Sequence, residues 1–136
     1  MRINPFEKYL GKEDLLQRAV IEYCELQYNI TPICMGTEGK KSAFEQFKFK
    51  WMGGRKGVSD LFIPVVNSQF SGLFLELKRD GAKIYKKDGS LYASNKKHHE
   101  RQLDFIKQVV SSGYYGEMCI GFEYTKAIID HYMNIS

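Results

Sequence analysis

An acid and a base lie two positions apart at the end of an apolar stretch of this sequence. Residues 72–79 are Gly-Leu-Phe-Leu-Glu-Leu-Lys-Arg, a pattern that favours a β-strand. Because side chains alternate across a strand, Glu76 and Lys78 project from one face, about 7 Å apart. The three leucines of the stretch project from the other face. A strand with one aliphatic face and one charged face predicts a core on one side and a reactive site on the other.

A second acid precedes a similar stretch. In residues 57–66, an aliphatic row made by Leu61, Ile63 and Val65 faces away from Asp60. If this stretch pairs with residues 73–78, both aliphatic rows must face one core, which fixes the parity of the register. A turn near residues 67–71 then brings Asp60 beside Glu76 or Lys78.

Carboxylates that converge at a sheet end suit a hard divalent cation. Mg²⁺ prefers oxygen ligands and keeps several waters, so Asp60, Glu76 and the Leu77 carbonyl are sufficient candidates. Glu13 could complete the site or bind a second ion. Lys78 would then orient or deprotonate a water and stabilise charge on a phosphate. The residues alone therefore indicate metal-dependent phosphodiester chemistry.

The helix predicted at Glu13–Tyr28 brings polar groups toward this site. Its buried stripe is predicted to contain Leu16, Val20, Tyr23, Cys24 and Gln27. Glu13 and Gln17 extend the stripe by one turn toward the N-terminus. The alternative is that both are ordinary solvated residues of a first helical turn. A second predicted helix, from about Asn95 to Ser112, has a core stripe of Leu103, Ile106 and Val110 with Gln102 at its border.

Length and composition indicate one globular domain spanning residues 1–136. No apolar run approaches the length of a membrane span, and no signal-peptide pattern is present. Cys24, Cys34 and Cys119 are isolated in sequence, which predicts reduced and mostly buried thiols. We expect a cytoplasmic protein, in a bacterium or, for a viral protein, in the host cell.

The net charge of +4 is unevenly distributed. Residues 38–56 and 79–101 each carry an excess of four basic groups, and the remaining segments are acidic. Two basic blocks beside a carboxylate site indicate a polyanionic partner, nucleic acid first; the alternative is solvated loops of a mildly basic protein. Candidate nucleic-acid-binding residues are Lys48, Lys50, Arg55, Lys56, Arg79, Lys83, Lys86, Lys87, Lys96 and Lys97.

The remaining elements follow from local pattern. Pro32 places the strand predicted at residues 30–35 at a sheet edge. Alternation of Phe47, Phe49 and Trp51 with lysines predicts a half-buried strand over residues 44–51, with the aromatic row in the core rather than serving as a base-stacking platform. A long polar segment, 79–95, contains a predicted hairpin around residues 88–89. A strand through Met118, Ile120 and Phe122 and a helix over 123–133 end the chain. The predicted order is therefore a helix, three or four strands, a helix, a strand and a helix, written α-β-β-β-α-β-α for three strands.

Taken together, these motifs resemble those of the PD-(D/E)xK nuclease superfamily, and in particular its VRR-NUC (virus-type replication–repair nuclease) branch. The similarity extends over nearly the whole chain from Glu13 onward. Residues 13–17 match a Glu-x-x-x-Gln motif, residues 57–61 a glycine-to-aspartate motif, and residues 76–78 a Glu-x-Lys motif. Gln102 falls where the family places a glutamine on the helix after the active-site strands.

The resemblance implies a restriction-endonuclease-like core with a central mixed sheet flanked by helices. It implies Mg²⁺- or Mn²⁺-dependent endonuclease activity on DNA, with Lys78 as the catalytic lysine and Gln17 and Gln102 as supporting residues. Glu13, Asp60 and Glu76 would ligate the metal. Stand-alone members are similar to junction-resolving enzymes, which implies that the protein is a homodimer with a role in DNA repair. The implied substrate is branched, flap or four-way junction DNA, and no organic cofactor is implied. Two alternatives stay open: a non-catalytic nucleic-acid-binding domain on the same fold, and a nuclease acting on RNA.

Overall fold

A four-stranded mixed sheet lies at the centre of the molecule. The computed structural model describes residues 4–35 and 42–136. The strands lie side by side in chain order: β1 (Ile33–Cys34), β2 (Leu61–Ile63), β3 (Leu73–Lys78) and β4 (Tyr115–Ile120). The β1–β2 and β2–β3 pairs are antiparallel and the β3–β4 pair is parallel. This arrangement confirms the predicted α/β fold with a mixed sheet, and it confirms the edge position of the strand that follows Pro32.

Helices flank the sheet. After a short 3₁₀ turn at Glu7–Tyr9 they are α1 (Lys12–Tyr28), α2 (Ala43–Trp51), α3 (Lys96–Ser111) and α4 (Phe122–Met133). Residues of α1 and α4 share one buried cluster with the leucines of β3, whereas Ile106 of α3 belongs to a second cluster with Ile84 and Met118. The described elements therefore form three layers, with the sheet in the middle.

The register of β2 against β3 has the predicted parity. Leu61 pairs with Leu75 and Ile63 with Leu73, and all four residues are buried in the cluster shared with α1 and α4. Residues 74, 76 and 78 therefore face α3. The edge-to-face contact between Phe74 and Phe105 of α3 agrees with this orientation. In the described part of the chain, α3 packs on the charged face of β3 through contacts with Phe74 and Glu76.

Residues 43–51 form a helix, so the strand predicted at 44–51 is wrong. The Ser42 Oγ accepts a hydrogen bond from the Glu45 backbone N–H at 3.2 Å and donates one to the Glu45 carboxylate at 3.0 Å. These bonds cap the first turn of a helix. The predicted core position of the aromatic row is wrong as well, because the Trp51 and Phe47 side chains are exposed. Residues 36–41, which belong to the first basic block, lie outside the described residues.

Several boundaries and core positions differ from the prediction. Gln27 is exposed, and on α3 the buried valine is Val109 rather than Val110. The last strand ends at Ile120, because Gly121 takes a positive φ of 85° and Phe122 begins α4. Strand β2 has three residues where the pattern over 58–66 predicted a longer strand. Alternation of aliphatic residues predicts that a strand is present. It does not predict the length of the strand, which also depends on where the neighbouring strand ends.

The polar segment 79–95 is attached to the body of the protein. Tyr85 and Leu91 form an antiparallel bridge, and Gly89 takes a φ of 87° at the tip, which confirms the predicted hairpin. Ile84 is buried in the cluster under α3. As predicted, two of the cysteines, Cys24 and Cys119, are buried, whereas Cys34 is exposed. Within the described ranges, no helix combines the length and the apolar character needed to cross a bilayer.

Candidate active site

A cleft of about 1190 Å³ opens at the C-terminal end of β3. Its walls come from the first turns of α1, the inner face of α2, the loop before β2 and the N-terminal half of α3. The seven residues predicted to catalyse or to hold a metal all line it: Glu13, Gln17, Asp60, Glu76, Leu77, Lys78 and Gln102. The fold therefore brings these residues to one cavity, and their individual roles stay predictions.

Asp60 and Glu76 are neighbours because of the strand register. The Leu61–Leu75 pair places residues 60 and 76 one step further along the two strands. The Asp60 Oδ2 accepts a hydrogen bond of 2.7 Å from the Leu77 backbone N–H, which holds the carboxylate at the sheet end. The N–H and C=O of one strand residue point toward the same neighbouring strand. The Leu77 carbonyl therefore lies on the Asp60 side, as a metal ligand would require.

Glu76 is the most deeply buried acid of the cleft, with 3% of its surface exposed. Its Oε1 accepts a hydrogen bond from the Gln102 amide nitrogen and lies 3.6 Å from the Lys78 Nζ. Within the described part of the chain, its Oε2 and the Oε1 of Gln102 are buried without a hydrogen-bond partner. Two buried acceptor oxygens without donors are costly in a folded protein, so a bound cation or water would stabilise them.

The pKa values of both carboxyl groups reflect this burial. Burial and, to a smaller extent, the neighbouring Asp60 charge raise the pKa of Glu76 to about 8, against the lowering effect of the Lys78 charge. Burial also raises the pKa of Asp60, against the lowering effect of the Leu77 N–H. Both shifts mean that a second negative charge is unfavourable here unless a cation compensates it.

The donor set fits a small hard cation. Two carboxylates and one backbone carbonyl are oxygen ligands of the kind that Mg²⁺ binds, with waters in its remaining positions. Across residues 4–35 and 42–136, no group of three acidic, histidine or cysteine side chains is arranged to hold a metal ion. Glu13 is exposed in the first turn of α1, although its charge still raises the pKa of Asp60. Direct ligation by Glu13 therefore stays a prediction.

The two glutamines differ in their contacts. Gln102 projects from α3, is 5% exposed and contacts Glu76 directly. Gln17 lines the same cleft, but its amide nitrogen lies 3.3 Å from the Cys34 Sγ, to which it donates a hydrogen bond. Gln102 thus fixes the orientation of an acid, whereas Gln17 connects α1 to β1 at the cleft wall.

The predicted nucleic-acid-binding residues are distributed over several surfaces. Lys50, Arg55 and Lys56 line the cleft. Arg55 also stacks over the Phe105 ring at 5.4 Å and donates a hydrogen bond to Gln108, so it connects this loop to α3. The others lie outside the cleft lining: Lys48 on α2, Arg79 in a smaller groove beside α1 and α4, Lys83, Lys86 and Lys87 in the polar segment, and Lys96 and Lys97 at the start of α3, where Lys96 lies 3.9 Å from Glu100.

His98 and Arg101 line the cleft, although neither is among the predicted site residues. The signal was present, because His98 precedes Gln102 by four residues and therefore shares its helix face. Burial lowers the pKa of His98, and the Lys78 and Arg101 charges lower it further. The adjacent His99 is buried.

Gly57 determines how closely the loop before β2 approaches α3. It takes a φ of +87°, and a Cβ at this position would lie 2.9 Å from the Arg101 backbone carbonyl carbon. Gly57→Ala should therefore lower the free energy of unfolding by about 2–4 kcal/mol, the sum of backbone strain and overpacking. Urea denaturation measures this change.

Gly81→Ala is the matched control. Gly81 has a similar φ of +78°, but a Cβ added there would have no atom within 4 Å. It should show the strain alone, about 1 kcal/mol. Equal losses in the two variants would show that contact between this loop and α3 contributes nothing to stability.

Comparison with known proteins supports the fold. No family model and no curated protein matches the sequence. A solved structure described as a VRR_NUC domain protein is similar, with a TM-score of 0.64 and 21% sequence identity over 93% of this chain and 92% of that chain. The likeness spans the sheet and the helices that carry the cleft residues. The chain therefore has the fold of a VRR_NUC domain protein, as its motifs predicted.

Proposed function

We propose that this protein is a Mg²⁺-dependent endonuclease that hydrolyses phosphodiester bonds of DNA in the cleft at the end of β3. The observation that carries the proposal is the buried carboxylate of Glu76. Its Oε2 has no hydrogen-bond partner, it lies next to Asp60, and Lys78 is 3.6 Å from its other oxygen. A carboxylate pair with a buried amine beside it suits a divalent cation and a phosphate together.

Each residue of the cleft would have a distinct task. Asp60, Glu76 and the Leu77 carbonyl would hold Mg²⁺ or Mn²⁺, and Glu13 would complete the set. The ion supplies Lewis acidity toward a phosphoryl oxygen and lowers the pKa of water. Lys78 would orient the attacking water and stabilise negative charge on the reacting phosphate. Gln102 keeps the Glu76 carboxylate turned toward the cleft.

The basic residues of the cleft wall would hold the sugar-phosphate chain. Lys50, Lys56 and Arg101 come from α2, the loop before β2 and α3, so they surround the acids from three sides. Contacts of this kind give salt-dependent binding. The resemblance of its motifs to the VRR-NUC family is the reason to propose branched, flap or four-way junction DNA as the substrate and a homodimer that presents two clefts.

Cleavage of a substrate panel tests the proposal. Purified protein is incubated with linear, nicked, flap and four-way DNA and with matching RNA, in Mg²⁺ and in chelator. We expect DNA cleavage in Mg²⁺ only, lost in Asp60→Asn with DNA binding retained. A protein that binds DNA but leaves every strand intact would be the non-catalytic alternative. Cleavage confined to RNA would keep the site and change the polymer.

A further inference from the structure

The outer face of α2 carries an unusual stripe of exposed aromatic side chains. Phe44, Phe47 and Trp51 are 69%, 64% and 77% exposed. Their spacing of three and four residues places them on one side of the helix. Large contiguous apolar patches on a soluble domain mark interaction sites. The stripe therefore marks α2 as an interaction surface suited to a partner that covers aromatic rings.

The opposite face of α2 belongs to the catalytic cleft. Gln46, Phe49 and Lys50 line the cleft wall, and the Phe49 ring packs against Gly54, where a Cβ would overlap the ring. Phe49 thus packs against the turn that follows α2, on the cleft side of the helix. As a result α2 forms a lip, with the cleft on one side and the aromatic stripe on the other.

The charge around the stripe favours a polyanion. Residues 42–57 contain four basic side chains and a single acid. That acid, Glu45, accepts a hydrogen bond from the hydroxyl of Ser42. Lys48 lies beside the stripe, between Phe47 and Trp51 along the helix. Two copies of this face would bring like charges together, whereas unpaired nucleotides offer both planar rings and phosphates. Stacking on aromatic rings beside basic groups is the general mode of single-strand binding.

We propose that the outer face of α2 stacks the bases of unpaired nucleotides next to the catalytic cleft. The inference rests on the proposed function and specifies its substrate class, DNA in which an unpaired stretch adjoins a duplex. One strand follows Lys50 and Lys56 into the cleft. The bases of the displaced strand stack on Trp51 and Phe47, and α2 keeps the two strands apart.

Trp51 reports this contact directly because it is the only tryptophan of the chain. Its fluorescence is recorded without divalent cation during titration with oligothymidylate of about a dozen nucleotides. A second titration uses an abasic strand of equal length and charge. We expect quenching by the strand with bases and none by the saturating abasic strand. Equal quenching by both, or none by either, would overturn the proposal.

Alanine variants test the energetic contribution. Trp51→Ala and Phe47→Ala should each weaken binding of the oligothymidylate about tenfold, the range for loss of one stacked base, and change duplex affinity less than about twofold. Phe6→Ala is the matched control, since Phe6 is 72% exposed and lies before α1, outside the stripe on α2. It should bind as the unmodified protein does. Unchanged single-strand affinity in both α2 variants would contradict stacking.

Sedimentation separates the other possible occupant, a second copy of the chain. If Phe47→Ala dissociates a dimer and leaves single-strand affinity unchanged, the stripe is an interface between copies and the stacking proposal is wrong. The fluorescence assay needs no cleavage, so the two proposals fail separately. Base-dependent quenching without any nuclease activity would contradict the proposed function alone. Mg²⁺-dependent cleavage without base-dependent quenching would contradict the stacking proposal alone.

Discussion

Glu76→Gln should remove DNA cleavage and at the same time make the metal-free protein relatively more stable at alkaline pH. The amide keeps the shape of the side chain and can still accept the hydrogen bond from Gln102. It is a poorer cation ligand because it carries no charge. Substitution of a residue that hydrogen-bonds to a metal ligand typically lowers metal affinity or activity about 10–100-fold. Loss of a ligand itself should therefore lower single-turnover cleavage by more than about a hundredfold.

The stability effect follows from the raised pKa of Glu76. The pKa of this carboxyl group is about 8 in the folded protein and about 4.3 in an unfolded chain. Between these values the unfolded chain releases a proton that the folded protein keeps, so the stability of the unmodified protein falls as pH rises through this window. The amide of the variant has no proton to lose. Glu76→Gln should therefore gain stability relative to the unmodified protein between about pH 5 and about pH 8.

Urea denaturation in chelator at the two pH values measures the gain. The quantity compared is the change with pH, because the substitution also removes the charge partner of Lys78 at 3.6 Å. Glu25→Gln removes an exposed carboxylate from α1 and controls for the loss of one acid. Parallel stability curves for Glu76→Gln and the unmodified protein would contradict the burial of an uncompensated carboxylate.

Lys78→Met should lower the rate of the chemical step with little effect on DNA affinity. The methionine side chain retains most of the apolar length of a buried lysine and removes its charge. Groups that move protons or stabilise developing charge typically contribute about 10²–10⁴-fold. We expect a decrease in this range in single-turnover cleavage at saturating protein, and a change in the DNA dissociation constant below about threefold.

Lys56→Met provides the opposite pattern. Lys56 is exposed on the cleft wall. Loss of its charge should weaken DNA binding and decrease the salt dependence of the binding constant by the equivalent of about one phosphate contact. The cleavage rate at saturating protein should stay nearly unchanged. If Lys78→Met instead weakens binding as Lys56→Met does and keeps its rate, Lys78 is a phosphate contact and has no role in the chemical step.

The arrangement of the central strands was predictable because two independent patterns had to agree. Aliphatic rows in residues 61–65 and 73–77 could share a core only in one parity, and that parity puts Asp60 and Glu76 on adjacent positions. Only the pairing of β2 with β3 was needed for this result. The prediction therefore did not depend on the rest of the fold.

Helix α2 was not predicted because the spacing of its aromatic residues fits both a strand and a helix. Phe47, Phe49 and Trp51 alternate as in a strand, whereas Phe44, Phe47 and Trp51 also follow the spacing of a helix. The Ser42–Glu45 pair could have decided between the two, since serine followed three residues later by glutamate favours a helix start. A core assignment also assumed that aromatic side chains are buried, and here they form an exposed stripe.

The positions of the cleft residues on α3 depend on tertiary packing, which the local sequence pattern does not show. Gln102 was placed by its position on the border of an apolar stripe, and its contact with Glu76 follows from the approach of α3 to β3. His98 and Arg101 reach the cleft through the same approach, and Gly57 determines its closeness. Ile84 attaches the basic segment 79–95 under α3, which its charge pattern did not predict, and the nucleic-acid-binding role of its lysines stays a prediction.

Calorimetric titration of Mn²⁺ into the metal-free protein at neutral pH tests the central claim most directly. The Glu76 carboxyl is largely protonated under these conditions, since burial raises its pKa to about 8. Binding of a cation should therefore release close to one proton, which buffers of different ionisation enthalpy reveal. We predict a saturable site that releases this proton in the unmodified protein and is lost in Glu76→Gln. Binding that is identical in the two proteins, or that releases no proton, would contradict a cation site at Asp60 and Glu76.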